Sequence, residues 1–152
     1  MENLNEQELH ELVLKVIENI CDVFELKYRR DPWSYFLNGN CMYFSEILMG
    51  IFGDKCKPYA SDEHTICEIG NRHFYDVTGE IKDKEELKKF YVDIPYSIGY
   101  FYQFYELATY GTNDIEREKR EEVRDSIITN VKNIMSHEYP FFKEKTLKIS
   151  KK

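Results

Sequence analysis

Apolar residues in the N-terminal segment recur three and four positions apart, which is the pattern of one helix face. Asn5 and Glu8 have the spacing of a capping box, so we expect a helix from Asn5 to about Leu26. Its predicted inward face comprises Leu9, Val13, Val16, Ile17, Ile20 and Phe24.

A second helical pattern covers Cys41–Phe52, and Gly53 after it is a suitable stop in the αL conformation. Between the two helices, residues 27–40 contain Pro32, Gly39 and aromatic side chains, a composition that favours an ordered loop. The apolar stripe of the second helix comprises Phe44, Ile47, Leu48 and Ile51. The loop aromatics expected to fold back on the core are Trp33, Tyr35 and Phe36.

Short segments typical of strands follow the second helix. Thr65–Ile69 and His73–Thr78 are rich in β-branched and aromatic residues, and Gly70-Asn71 between them is a hairpin signal. Lys57–Ala60 can add a third strand. We therefore expect a small antiparallel sheet.

Helical patterns return in the C-terminal half. Asp83 can cap a short helix, and Pro95–Tyr110 shows aromatic residues at helical spacing. Asn113 and Glu116 form a second capping box, which opens a charged helix that should end near His137. Its inward positions are predicted to be Val123, Ile127, Val131 and Ile134.

These patterns predict one α+β domain over residues 1–142, with helices packed on the sheet. The chain has 152 residues, 42% of them hydrophobic, which suits one domain with a sizeable core. Residues 143–152 contain five lysines and no capping signal, so we expect a flexible Lys-rich tail.

Charge and cysteine content narrow the class of protein. A formal charge of −7 argues against broad, non-specific nucleic-acid binding, although an acidic surface can engage a basic partner surface. The remaining classes are an enzyme, with a protein or peptide as the expected substrate, and a protein-binding module. No apolar run approaches the roughly 20 residues of a membrane span, and the acidic start is unlike a secretory signal. The four cysteines form no CxxC pair, so free thiols and a cytoplasmic location are expected.

Cys41 stands where a cysteine becomes nucleophilic. A helix N-terminus favours negative charge, which lowers the pKa of a thiol there. Gly39, two residues earlier, allows the sharp backbone turn and close substrate approach that a nucleophile requires.

A base and an orienting acid are available on the predicted hairpin. His64 opens its first strand and Asp76 closes its second, but a two-residue loop at Gly70-Asn71 would put them on opposite faces. A three-residue loop, Gly70–Arg72, or a bulge would put both side chains on one face. We therefore predict an odd loop or a bulge.

The order of these residues resembles the papain-like and transglutaminase-like cysteine enzymes. The similar stretches are Gly-Asn-Cys-Met-Tyr-Phe-Ser-Glu-Ile-Leu, His-Thr-Ile-Cys-Glu-Ile and His-Phe-Tyr-Asp-Val-Thr-Gly, all within Asn38–Gly79. The resemblance implies a papain-like core with Cys41 as nucleophile, His64 as base and Asp76 as orienting acid.

Two features depart from that superfamily. Thr65 stands where many transglutaminase-like members have a tryptophan after the histidine, and no upstream glutamine supplies the papain-type oxyanion donor. Asn38, Asn40 or the Cys41 backbone amide would take that role.

Simpler readings exist for each of these residues. Cys41 could be a small core residue like the other three cysteines, His64 an edge residue and Asp76 the start of a turn. A zinc site from Cys56, His64 and Cys67 lacks the spacing of common closed sites, so we assign no metal and no cofactor. No role is assigned to His10, His73 and His137.

The functional expectation is thiol-dependent acyl transfer on amides, as in a peptidase, deamidase or transglutaminase-like enzyme. The alternative is a non-catalytic acidic protein-binding module on a papain-like scaffold, such as an inhibitor of a basic-surfaced partner.

Overall fold

The structure, a computed structural model, describes residues 1, 3–95, 97–109 and 114–143. Its first element is a long helix, α1 (Glu6–Tyr28). The predicted capping box is confirmed. The Glu8 backbone N–H donates to Asn5 at 2.8 Å, and the Asn5 N–H donates to the Glu8 carboxylate at 3.1 Å. The helix runs slightly beyond the expected Leu26 and ends at Arg29, which has a φ of 56°.

The segment expected to be only a loop contains a short helix, α2 (Pro32–Leu37), so that prediction is wrong in part. Asp31 caps it, and proline is well suited to the first helical turn because its missing N–H has no helical partner there. Phe36 is buried and Tyr35 packs against the core as expected, but Trp33 is 51% exposed.

Helix α3 (Cys41–Phe52) has the predicted bounds, and its apolar stripe is buried. It ends at Gly53, whose φ of 61° and ψ of −134° differ from the expected αL conformation. A 3₁₀ turn, Gly53–Lys55, then leads into the sheet.

The sheet has four antiparallel strands in the order β1 (Cys56–Ala60), β2 (Thr65–Ile69), β3 (Phe74–Asp76) and β4 (Gly79–Glu80). Strand β3 is shorter than predicted, and the two-residue strand β4 was not anticipated. The expected small antiparallel sheet is confirmed.

Helices α4 (Lys84–Lys88), α5 (Ile98–Thr109) and α6 (Asp114–Met135) follow the sheet. Asp83 caps α4 as predicted. The proposed capping residue Asn113 lies outside the described residues, as do residues 144–152 of the expected tail.

The inward face of α6 follows the prediction at three of four positions. Ile127 and Val131 are buried and Val123 is partly buried, whereas Ile134 is 45% exposed and Met135 is buried in its place. The spacing of four residues from Val131 to Met135 continues the buried stripe.

Helix α3 packs on one face of the sheet, α6 packs against α1 and α3, and the three helices share one core cluster with buried residues of the sheet. On the opposite face, Phe74 of β3 packs with Tyr59, Ile66 and Phe90. Helix α5 covers the end of β1. Within the described residues, no helix is both long and apolar enough to cross a bilayer.

Candidate active site

The N-terminus of α3, the start of β2 and the end of β3 each supply one of the three predicted side chains. Cys41 is the first residue of α3, His64 immediately precedes β2, and Asp76 is the last residue of β3. The sheet and the helix packed on it thus bring together residues that are well separated in sequence.

The loop of the β2–β3 hairpin decides whether two of these side chains can meet. Cys67 pairs with Tyr75, and the Ile69 N–H donates to the carbonyl of His73 at 3.0 Å, which leaves three loop residues, Gly70–Arg72. The predicted odd loop is confirmed. Continued by one residue, this register places Asp76 opposite Ile66. His64, two residues before Ile66, lies on the same face of the sheet as Asp76, because side chains alternate along a strand.

His64 and Asp76 form a direct contact. The Nε2 atom of His64 lies 2.9 Å from Oδ2 of Asp76. The other carboxylate oxygen of Asp76 accepts hydrogen bonds from the backbone N–H of Thr78, at 2.8 Å, and from its hydroxyl. Burial disfavours the charged carboxylate, but these bonds from His64 and Thr78 outweigh it and lower the pKa of Asp76.

Cys41 is buried at the open end of α3. It is 5% exposed, and no side chain in the described part of the chain caps this helix end. Burial opposes thiolate formation, but hydrogen bonding and charge from His64, together with hydrogen bonds from Thr65, outweigh burial and lower the pKa of Cys41.

His64 receives the complementary shift. Burial disfavours the imidazolium, but hydrogen bonds to Asp76 and Cys41 and the charges of both partners raise the pKa of His64 to about 9. Because Nε2 faces Asp76, the Nδ1 atom is the ring nitrogen left for the sulfur. The two opposite shifts both favour a thiolate beside an imidazolium.

The pKa values of two other thiols are raised, opposite to the shift of Cys41. Burial and neighbouring acidic groups raise the pKa of Cys21 to about 11. A hydrogen bond with Cys67, together with burial, raises the pKa of Cys56 well above the usual range. Cys56, His64 and Cys67, which were considered as zinc ligands from the sequence, do not form a group of three close metal-binding side chains within the described residues. His64 lies with Cys41 and Asp76 instead.

The two asparagines proposed as oxyanion donors bond elsewhere. The side-chain N–H groups of Asn38 and Asn40 donate to the carbonyls of Ser34 at 2.7 Å and Tyr35 at 3.1 Å, both in α2. The first backbone N–H groups of a helix have no intrahelical acceptor, so those at the start of α3 are the donors best placed beside the sulfur.

Sequence reasoning missed two residues of this site. Thr78 follows Asp76 by two positions, the spacing of an Asx turn, so that contact had a local signal. The sequence places Thr65 at the start of a predicted strand and gives it no role in the site. Its contact with the thiol depends on how α3 packs on β2, which has no local signature.

Comparison with known proteins found no matching family model, no matching curated protein and no matching solved structure.

Proposed function

We propose that this protein is a cysteine enzyme with a papain-like or transglutaminase-like core that transfers acyl groups from amides. The observation that carries the proposal is the contact of His64 with Asp76 at 2.9 Å, combined with opposite pKa shifts in Cys41 and His64. A helix-start thiol, a shared imidazole and a buried carboxylate are the parts of a nucleophilic triad.

The reaction follows from these positions. The Cys41 thiolate attacks the amide carbonyl carbon, and the negative oxygen is stabilised by N–H groups at the start of α3. The His64 imidazolium gives its proton to the departing amine as the C–N bond breaks, leaving a thioester. Neutral His64 then takes a proton from water or from an acceptor amine, which attacks the thioester; the C–S bond breaks and the Cys41 thiolate is released beside the His64 imidazolium. Asp76 holds the imidazole and stabilises its charge throughout.

Thiol labelling tests the nucleophile without a known substrate. We expect iodoacetamide to modify Cys41 faster than the other three cysteines at neutral pH, because, despite burial, His64 lowers the pKa of the Cys41 thiol, whereas those of Cys21 and Cys56 are raised. Mass spectrometry after partial labelling gives the order of modification. Cys21 is the internal reference, since it is more exposed but its pKa is raised. Equal labelling of all four thiols in the folded protein would count against the proposal.

Acyl transfer is tested with glutamine-containing peptides in the presence of a primary amine. Peptide cleavage, deamidation and amine incorporation give products of different mass, so one experiment distinguishes the three outcomes. All product formation should disappear in Cys41→Ser. Products that persist in that variant would exclude Cys41 as the nucleophile.

The burial of Cys41 and an exposed apolar surface support the alternative, a non-catalytic protein-binding module. Leu107 is 78% exposed and Tyr102 is 54% exposed, and both lie on α5. A cavity of about 350 Å³ lies beside this helix, between Tyr100, Leu107 and the Ala60–Asp62 segment. Slow labelling of Cys41 together with no Cys41-dependent product would favour this alternative.

A further inference from the structure

A second cluster of histidines and carboxylates lies on the other face of the β3–β4 ribbon. Tyr75 pairs with Glu80 across these strands, and His73 precedes Tyr75 by two positions, so the three side chains share the face that meets α1. His10 projects from α1 onto this face, with its ring 5.8 Å from that of Tyr75.

The cluster brings metal-binding atoms close together. Nδ1 of His73 lies 2.7 Å from Oε2 of Glu80, and Nε2 of His10 lies 3.8 Å from Oε1 of the same carboxylate. One ligand atom from each of the three residues lies within 4.8 Å of the others. Two imidazole nitrogens and one carboxylate oxygen are a donor set that binds Zn²⁺, at about 2.0–2.2 Å per bond.

An outer contact orients one of the histidines for this role. Nδ1 of His10 lies 2.7 Å from the hydroxyl of Tyr75, a fully buried residue. A proton on Nδ1 can be donated to that hydroxyl, which leaves the lone pair of Nε2 directed towards Glu80. Histidine ligands of metals commonly have such a partner on the second ring nitrogen.

The fourth position is open to solvent or to one more carboxylate. Oε2 of Glu6 lies 4.0 Å from Nε2 of His73 and accepts a hydrogen bond from the Asn71 N–H at 3.1 Å. The Glu6 side chain is 59% exposed and can reorient. Lys82, which is 82% exposed, lies 4.0 Å from Glu80 and would give up this contact when a cation binds.

We propose that His10, His73 and Glu80 bind one divalent transition-metal ion, with Zn²⁺ as the first candidate, and that the ion fastens α1 to the β3–β4 ribbon. This site is separate from the Cys41 site and does not depend on the proposed acyl transfer. It gives a role to two histidines for which the sequence indicated none.

Calorimetric titration of the chelator-treated full chain with Zn²⁺ alone tests the site. We expect one strong binding event in the wild type and in His137→Gln, and its loss in His73→Gln. Imidazole ¹⁵N spectra identify the ligands, since the signals of His10 and His73 should shift and those of His64 and His137 should not. Unchanged binding by His73→Gln, or a shift of His64 instead, would overturn the proposal.

A milder variant keeps the test valid if His73→Gln fails to fold. Tyr75→Phe retains the buried ring and removes only the hydroxyl behind His10, so Zn²⁺ affinity should fall about 10- to 100-fold. Tyr59→Phe is the matched control, because its hydroxyl contacts Glu68 and not the cluster. Circular dichroism checks folding of both variants. Equal Zn²⁺ affinity in both would contradict the proposed ligand arrangement.

Discussion

The two faces of strand β3 present similar histidine–carboxylate pairs with different third partners. On one face His64 lies 2.9 Å from Asp76, and on the other His73 lies 2.7 Å from Glu80. The carboxylates are similarly buried, with side chains 11% and 14% exposed. The first pair meets the thiol of Cys41, whereas the second meets a second imidazole.

Because the third partner differs, we propose different chemistry for the two histidine–carboxylate pairs. Beside a thiol, the pair can share charge with a nucleophile, and the pKa of His64 rises to about 9 while that of Cys41 falls. Beside another imidazole, the same pair brings two ring nitrogens and a carboxylate oxygen within 4.8 Å of one another, the arrangement from which we propose a metal site. The group that completes each cluster therefore determines the chemistry available to it.

The largest expected effect comes from His64→Ala. It removes the main group that lowers the pKa of Cys41 and leaves burial to raise that pKa. Alkylation of Cys41 should therefore slow, by about tenfold for each unit by which the raised thiol pKa exceeds the measuring pH. Iodoacetamide kinetics with mass spectrometry of the Cys41 peptide measure this change.

His73→Ala is the matched control, because it breaks the corresponding pair on the opposite face. Alkylation of Cys41 should then proceed at the wild-type rate. If both variants slow labelling equally, the effect reflects a general loss of structure, and the distinction between the two faces fails.

The contrast also shows which features could be predicted from sequence. Whether His64 and Asp76 lie on the same face depends on the hairpin register, which follows from strand alternation and loop length. The cluster on the other face joins His10 to residues more than 60 positions away, and only the packing of α1 on the ribbon brings them together. No local pattern in the sequence encodes that contact.

Similar reasoning explains the successes and failures in the helices. The bounds of α3 could be predicted because a continuous apolar stripe ends at a glycine. Helix α2 is not predicted because a proline among glycine and asparagine residues is typical of a loop, although Asp31 before Pro32 makes the pair a helix start. The position of Ile134 was wrong because either it or Met135 can continue a helical stripe, and tertiary packing selects between them.

A smaller effect is expected for Asp76→Asn. The change keeps side-chain size but removes the charge that stabilises protonated His64, so the Cys41 pKa should rise and its alkylation should slow. Titration of thiolate absorbance measures the shift, and circular dichroism checks the fold. Glu80→Gln is the equivalent change on the other face and should leave the titration unchanged. Superimposable curves for Asp76→Asn and the wild type would leave Asp76 as a turn residue.

The pH dependence follows from the two shifts. The thiolate–imidazolium pair forms as pH rises through the lowered pKa of Cys41, and it is lost as pH rises through about 9, where His64 gives up its proton. Any acyl transfer should therefore decline above about pH 9. Imidazole ¹⁵N titration should show the same transition for His64. In Cys41→Ser this transition should move to lower pH, because one of the two groups that favour the imidazolium is gone. An unchanged transition would mean that the Cys41 thiol does not affect the pKa of His64.

The smallest effect should come from Thr65→Val. Thr65 is buried, its hydroxyl lies 2.8 Å from that of Ser45, and hydrogen bonds from Thr65 help to lower the Cys41 pKa less than those from His64 do. The variant should slow Cys41 alkylation, but less than His64→Ala does.

Ser45→Ala tests whether Thr65→Val slows alkylation by removing the hydrogen bond to the Cys41 thiol or by changing the packing around it. Thr65→Val leaves the buried hydroxyl of Ser45 without its partner, whereas Ser45→Ala removes the same bond but leaves the Thr65 hydroxyl its contact with the thiol. Loss of a buried hydrogen bond costs about 1–3 kcal/mol of unfolding free energy, measurable by urea denaturation. Only Thr65→Val removes a group that contacts the thiol, so Ser45→Ala should lose stability and keep the wild-type alkylation rate. The double variant should be less destabilised than the sum of the two, because neither hydroxyl is then left unpaired. If Ser45→Ala slows alkylation as much as Thr65→Val, Thr65 acts on Cys41 through packing rather than by a hydrogen bond to the thiolate.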